Sequence, residues 1–141
     1  MLTLKLPGLI LIPLISQISK FSASTCTKAA MSYEPGTHSV SYVTTPSDEV
    51  ATKLAEGLLS QNLAACVNII PEVKSVYKWE GKVNTDTEHM MIIKSRTSRL
   101  EDMTKWIREN HPYEVCEVIS MPITQGNPPY LQWISNNVPP K

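Results

Sequence analysis

The chain has 141 residues and carries 13 basic and 13 acidic side chains, so its formal net charge is zero. This length predicts a single domain with a modest core, for which self-association would help to bury apolar surface. No Lys/Arg-rich segment has the density of a nucleic-acid-binding surface, so we expect no nucleic-acid partner. The three cysteines include no CxxC pair, which argues against both a structural zinc site and a disulfide framework.

Residues 1–33 have the composition of a targeting segment. They include lysines but no acidic residue, a short apolar run at residues 9–15, and then several serines and small residues. A secretory signal and a mitochondrial presequence both fit this composition. Translation from Met31 would instead yield a cytoplasmic form. We therefore predict a leader over 1–33, which directs the long form to a secretory, membrane or mitochondrial compartment, and a folded domain over 34–141.

The folded part begins with a strand and a helix. Residues 39–45 are rich in β-branched side chains and predict the strand, and Thr45-Pro46 predicts a helix start with Thr45 as the N-cap. Asn62 is the expected terminator of this helix. The apolar side chains that recur at helical spacing are Ala51, Leu54, Ala55, Leu58 and Leu59.

A long hairpin follows. The apolar residues 64–70, bounded by Pro71, predict a strand, and period-two alternation continues over 73–80. Glu80-Gly81-Lys82 predicts a turn, after which residues 88–95 return as the partner strand. This region is therefore expected to form one long, bent β-hairpin.

A second helix and a last strand complete the pattern. Ser98 and Glu101 form a capping-box motif, and the helix must end before Pro112. Residues 115–123 predict the last strand, with Pro122 at its end or at a sheet edge. The order predicts an α+β, ferredoxin-like βαββαβ fold with an antiparallel sheet.

A short C-terminal helix is predicted over residues 129–134. Tyr130, Trp133 and Ile134 share one face of it, because their spacing is three and four residues. The tail at residues 138–141 contains two prolines and is predicted to be disordered.

Residues 111–117 concentrate the reactive side chains of the chain. His111 has ring nitrogens suited to copper or zinc, although a histidine that ends a helix can instead bond a backbone carbonyl. Glu117 is a second candidate ligand or a solvated carboxylate. Cys116 is a third candidate ligand, but as neighbours on a strand Cys116 and Glu117 should point to opposite faces.

Other polar side chains suggest weaker alternatives. Asp86 and Glu88 are two residues apart on a predicted strand and could hold a hard cation. Cys66 lies in an apolar run, where a small buried side chain is the default interpretation. The sequence contains no GxSxG, P-loop or GxGxxG motif, so we expect no enzymatic activity.

Five blocks of sequence resemble the CutA family of divalent-cation-tolerance proteins in order and spacing, and the resemblance covers residues 38–136. An N-terminal extension makes the chain look like an animal member. The blocks are Leu63-Ala64-Ala65-Cys66-Val67-Asn68, Ser75-Val76-Tyr77-Lys78-Trp79-Glu80-Gly81-Lys82, Glu88–Lys94, His111-Pro112-Tyr113-Glu114-Val115 and Tyr130-Leu131-Gln132-Trp133.

The resemblance implies a homotrimer joined by sheet-edge pairing, binding of divalent metals with copper first, and a role in metal-ion tolerance and response. It places His111 and Glu117 at the family's metal-associated positions. Thr44 stands where many bacterial members have a cysteine, which removes the softest ligand. Cys116 replaces a proline of the family motif. We expect Cu(II) or another divalent cation, with no cofactor tightly bound.

Two other functions stay open. The resemblance also implies an interaction protein that assists the processing or membrane anchoring of a secretory enzyme such as acetylcholinesterase. A trimeric small-ligand signalling protein is the other alternative. Aromatic side chains dominate protein interfaces, so we predict three of them at the contact between trimer subunits: Tyr77, Trp79 and Trp133.

Overall fold

The structure is a computed structural model that describes residues 33–141. Apart from Tyr33, the predicted leader lies outside the described residues and stays a prediction. Within the described part, no helix is both long and apolar enough to cross a bilayer. The strands and helices are, in chain order, β1 (His38–Thr45), α1 (Asp48–Ser60), β2 (Cys66–Trp79), β3 (Lys82–Arg96), α2 (Leu100–Asn110), β4 (Ile119–Pro122) and α3 (Pro128–Asn137).

The four described strands form one antiparallel sheet in the order β2-β3-β1-β4. Both α1 and α2 pack against the same core, so the predicted ferredoxin-like βαββαβ fold is confirmed. Strand residues of this core include Val43, Met91 and Ile93, all fully buried. The helices contribute Leu54, Leu58, Met103 and Ile107.

The start of α1 differs from the prediction. Thr45 is the last residue of β1, and Ser47 is the N-cap, its Oγ accepting a hydrogen bond from the Val50 backbone N–H at 3.3 Å. Thr45 lies two residues before the cap, where it is paired with His89 of the neighbouring strand as the last residue of β1. The predicted apolar face is buried except for Leu59, which is 42% exposed.

The hairpin of β2 and β3 is longer than its apolar segments alone suggest. Strand β2 continues past Pro71 through an irregularity between Ile70 and Val73, where Glu72 adopts a φ of 57°. A bulge of this kind lets a strand bend without losing its partner. The bent hairpin that the sequence predicts is therefore confirmed.

The hairpin ends in the predicted turn. Glu80 and Gly81 have φ values of 48° and 80°, as a two-residue type I′ turn requires, and Trp79 pairs with Lys82. The outer half of the hairpin has apolar side chains in solvent, with Val83 75% exposed. Within a single chain, the hairpin therefore exposes apolar surface that another molecule could contact.

The start of α2 also corrects the prediction. Ser98 does not cap the helix; residues Thr97–Arg99 form a short 3₁₀ turn and α2 begins at Leu100 without a side-chain cap. The Thr97 hydroxyl donates to the Gly36 carbonyl and the Thr97 N–H bonds the Thr37 carbonyl. These bonds tie the chain to the start of β1, so the tight turn forms before the helix can begin.

Strand β4 is shorter than predicted, because residues 115–118 are irregular. Tyr42 pairs with Ile119, and continuing this register would set Thr44 opposite Glu117. The Thr44 carbonyl is instead bonded to the ring of His111 at 2.9 Å. The side chain of His111 therefore occupies the position on β1 that a longer β4 would need.

The C-terminus is ordered by packing, contrary to the predicted disordered tail. Val138 is fully buried, in a small cluster with Ala65, Leu131 and Ile134. The Nε of Arg96 donates to the Val138 carbonyl at 2.8 Å. The residues after α3 are therefore anchored to the end of β3.

Candidate functional site

A cleft of about 550 Å³ lies between the outer part of the hairpin and the connection from α2 to β4. Its size falls within the range of small-ligand sites. Aromatic and acidic side chains make up more than half of the residues that line it. The aromatic ones are Tyr77, Trp79 and Tyr113, and the acidic ones are Glu88, Glu114 and Glu117.

His111 positions one wall of this cleft. The residue is 8% exposed, and both ring nitrogens have hydrogen-bond partners. Nε2 lies 2.9 Å from the Thr44 carbonyl, which can only accept, and Nδ1 lies 3.0 Å from the Tyr113 backbone N–H, which can only donate. This pattern requires a neutral imidazole with its proton on Nε2.

The arrangement of His111 bears on its predicted role as a metal ligand. A metal can bind only through a ring nitrogen lone pair, and in this tautomer the available one, on Nδ1, accepts the Tyr113 N–H bond. Metal binding at His111 would therefore require that bond to break or the ring to turn. The metal role of His111 stays a prediction, and the geometry shows a second role in fixing the loop after α2.

Nearby carboxylates affect the pKa values of two tyrosines that line the cleft, Tyr77 and Tyr113. The Tyr77 hydroxyl donates to Asp86, and this hydrogen bond raises the pKa of Tyr77. Burial raises the pKa of Tyr113, and the charges of Glu88 and Asp86 raise it further. The direction is the same for both phenols because negative charge nearby disfavours the phenolate.

The side chains of Glu117 and Cys116 point to different sides of the chain, as the sequence predicts. Glu117 lines the cleft, whereas Cys116 packs against the main core on the other side of the chain. Residues 115–118 do not form a strand, yet these two neighbouring side chains still point to opposite sides of the chain. As metal ligands both residues stay predictions, but only Glu117 has its side chain in the cleft.

Glu88 is the cleft residue that sequence reasoning undervalued. The sequence suggested it only as one of a pair with Asp86, yet its side chain is within the cleft and the residue is 7% exposed. Nothing local marks this glutamate as buried, because Tyr113, which interacts with it in the folded chain, lies 25 positions away in the sequence. The block Glu88–Lys94 of the family resemblance was the available signal.

The predicted interface aromatics lie in two places. Tyr77 and Trp79 line the cleft, whereas Trp133 is on α3, where its ring lies 5.3 Å from that of Tyr130. Trp79 is 53% exposed. Their role between subunits stays a prediction.

The described residues contain no group of three or more His, Cys, Asp or Glu side chains placed to hold a metal ion. The carboxylates that line the cleft therefore do not form a ready metal site within these residues. Fold and cleft together define an α+β domain with a projecting hairpin and a cleft lined by acidic and aromatic side chains.

Comparisons with known proteins identify the family. The family described as CutA1 divalent ion tolerance protein matches residues 39–137. Protein CutA homolog from Xenopus laevis is 53% identical over 113 residues, or 80% of this chain and 75% of that protein. The crystal structure of CutA1 from Oryza sativa has a TM-score of 0.71 at 49% identity, covering 74% of this chain and 94% of that chain.

Two further relatives agree. The divalent cation tolerance protein from Thermus thermophilus has a TM-score of 0.70 at 39% identity, over 72% of this chain and 98% of that chain. Protein CutA from Mus musculus is 47% identical over 102 residues, which span 72% of this chain but only 58% of the mouse protein. The chain belongs to the CutA1 divalent ion tolerance protein family.

Proposed function

We propose that this protein acts in divalent-cation tolerance as a homotrimer that binds divalent cations weakly, with copper first. Membership of the divalent ion tolerance family is the observation that carries the proposal. Glu117, with its carboxylate in the cleft, is the ligand that the described geometry supports best.

The chemistry of the cleft sets the expected affinity. Its carboxylates are hard oxygen ligands, and Thr44 at its base offers no thiolate. Cu(II) still leads the divalent first-row metals at such sites, because the order of affinities holds for oxygen ligands too. Since one subunit has no ready three-ligand cluster among its described residues, we expect ligands of a neighbouring subunit to complete the site.

Calorimetric titration of the full chain with Cu(II) tests the metal site. Glu117→Gln should weaken binding at least roughly tenfold, a loss typical even of residues that only support a metal ligand. Glu49→Gln, on an exposed part of α1, is the matched control and should bind as the unchanged chain does. Equal affinity of the unchanged chain and Glu117→Gln would overturn this assignment.

Self-association is supported by the two edges of the sheet. Strands β2 and β4 are the outermost strands, and unpaired edges invite pairing with another copy. Apolar side chains are exposed on both, with Val76 on β2 and Ile119 and Met121 on β4. An edge-to-edge contact between unlike edges generates a closed ring when the rotation fits.

Light scattering coupled to gel filtration checks the trimer. We expect a mass three times that of the chain, and Val76→Asp combined with Val83→Asp should lower it by placing charge in the contact. A monomeric mass for the unchanged chain at micromolar concentration would refute the trimer.

The other functional alternatives differ in support. The volume and lining of the cleft favour a small-ligand role as the second candidate function. The assistance of a secretory or membrane-anchored enzyme, the absence of enzymatic activity and the cellular location all stay predictions.

A further inference from the structure

The cleft holds negative charge that the described part of the protein does not neutralise. Glu88, Glu114 and Glu117 line it, and none of them forms an ion pair within residues 33–141. Glu88 is only 7% exposed. These carboxylates face the cleft without a cationic partner, so a positively charged ligand is favoured there over a neutral or a negative one.

The aromatic side chains add a second, independent preference. Tyr77 and Trp79 lie on the same face of β2, two residues apart, and Tyr113 contributes from the opposite wall. Aromatic faces attract cations through the ring quadrupole and also contact hydrocarbon. An inorganic ion uses neither the apolar contact nor the width of the cleft.

The size of the cleft favours an organic cation over a metal ion. The cleft has a volume of about 550 Å³, while the described carboxylates are not gathered closely enough to surround a metal. A molecule with a charged head and a hydrocarbon body can contact carboxylates and rings at once. The carboxylates accept hydrogen bonds, which favours a head group that retains N–H donors.

The cleft also stays open if the hairpin contacts another subunit. Side chains alternate along β2, so Val76 lies on the face opposite Tyr77 and Trp79. Val83 pairs with Lys78 and shares the face of Val76. A contact through the valine face, in place of the predicted contact through Tyr77 and Trp79, leaves the aromatic face available to a ligand.

We propose that this cleft binds a small primary organic ammonium, with its hydrocarbon part against Tyr77, Trp79 and Tyr113 and its ammonium head toward Glu88 and Glu117. This goes beyond the proposed metal function and does not depend on it. His111 acts as a positioning residue, because its bond to the Tyr113 N–H holds the loop that forms one wall.

Benzylammonium chloride is a suitable probe, and benzyl alcohol is its neutral counterpart of similar shape. Both are titrated into the full chain at pH 7 with EDTA present, followed by ligand-observed NMR. We expect saturable binding of the ammonium and roughly tenfold weaker binding of the alcohol, the difference that a hydrogen bond between an ammonium and a carboxylate supplies. Equal binding of both compounds, or no binding of the ammonium at millimolar concentration, overturns the proposal.

Variants locate the site. Glu88→Gln preserves shape and removes the negative charge, so it should weaken ammonium binding about fivefold or more and leave benzyl alcohol unchanged. Trp79→Leu should weaken both compounds, and Trp133→Leu, outside the cleft, should weaken neither. If Glu88→Gln fails to fold, the half-buried Glu117→Gln takes its place.

Wild-type affinity in both glutamate variants would show that the ammonium binds elsewhere and would end the proposal. Because EDTA removes metal, this result is independent of the copper titration. Either proposal can therefore fail while the other stands.

Discussion

Replacing His111 should destabilise the protein even when no metal is present. His111→Ala removes the bond to the Thr44 carbonyl and the bond from the Tyr113 N–H, at 2.9 and 3.0 Å. Each contributes about 1 kcal/mol net, and their partners are left unsatisfied near a residue that is 8% exposed. With the lost packing of the imidazole, the expected cost is about 2–4 kcal/mol in the free energy of unfolding.

Two milder variants separate the two bonds. The amide oxygen of His111→Asn can replace Nδ1 as the acceptor for Tyr113, whereas the longer His111→Gln can replace Nε2 as the donor to Thr44. Each should retain one bond and cost about 1–2 kcal/mol, less than alanine. The Tyr113 amide should exchange with solvent faster in the alanine variant, because its acceptor is gone.

Urea denaturation of the full chain, followed by circular dichroism at one protein concentration with EDTA, measures these costs. The fixed concentration matters because assembly would couple stability to mass action. If His111 served only as a metal ligand, its removal would leave the metal-free stability unchanged. A loss below about 0.5 kcal/mol for the alanine variant, the usual effect of a neutral surface substitution, would refute the structural role.

Three other changes probe the packing. Gly57→Ala places a methyl against the ring of Trp106, closer than van der Waals contact allows, so we expect a loss of about 1–3 kcal/mol in urea denaturation, and a neutral result would contradict this contact between α1 and α2. Burial and the charge of Arg96 lower the pKa of His38, so the unfolded chain binds the proton first and stability should fall as the pH drops below about 6.5. His38→Gln should flatten that part of the pH profile, and an unchanged slope would assign it to another group. Val138→Ala should lower the melting temperature through a loss of about 1–2 kcal/mol, whereas a disordered tail would show no change.

Much of the fold could be predicted because its signals are local. Period-two alternation marked the hairpin, and Gly81 with its φ of 80° marked the turn. Pro112 forced α2 to end at Asn110, since a residue before proline avoids the helical region. These features depend on a few neighbouring residues, so they are readable before any tertiary contact forms.

The helix starts could not be placed correctly by the same means. Thr45 and Ser98 both had sequence patterns of capping residues, and neither caps a helix. The hydroxyl of Thr45 bonds the carbonyl of His89 across the sheet, and Thr97, beside Ser98, is held by the start of β1. The pairing of Thr45 with β3 and the bonds of Thr97 to the start of β1 are tertiary contacts, and no local pattern contains them.

The sequence by itself determined the class of fold and the residues of the cleft that belong to the family blocks. Only the tertiary structure decided what His111 bonds and that Glu88 is buried. The reason is distance along the chain: Thr44 lies 67 residues from His111, and no local pattern records which carbonyl a folded ring will meet.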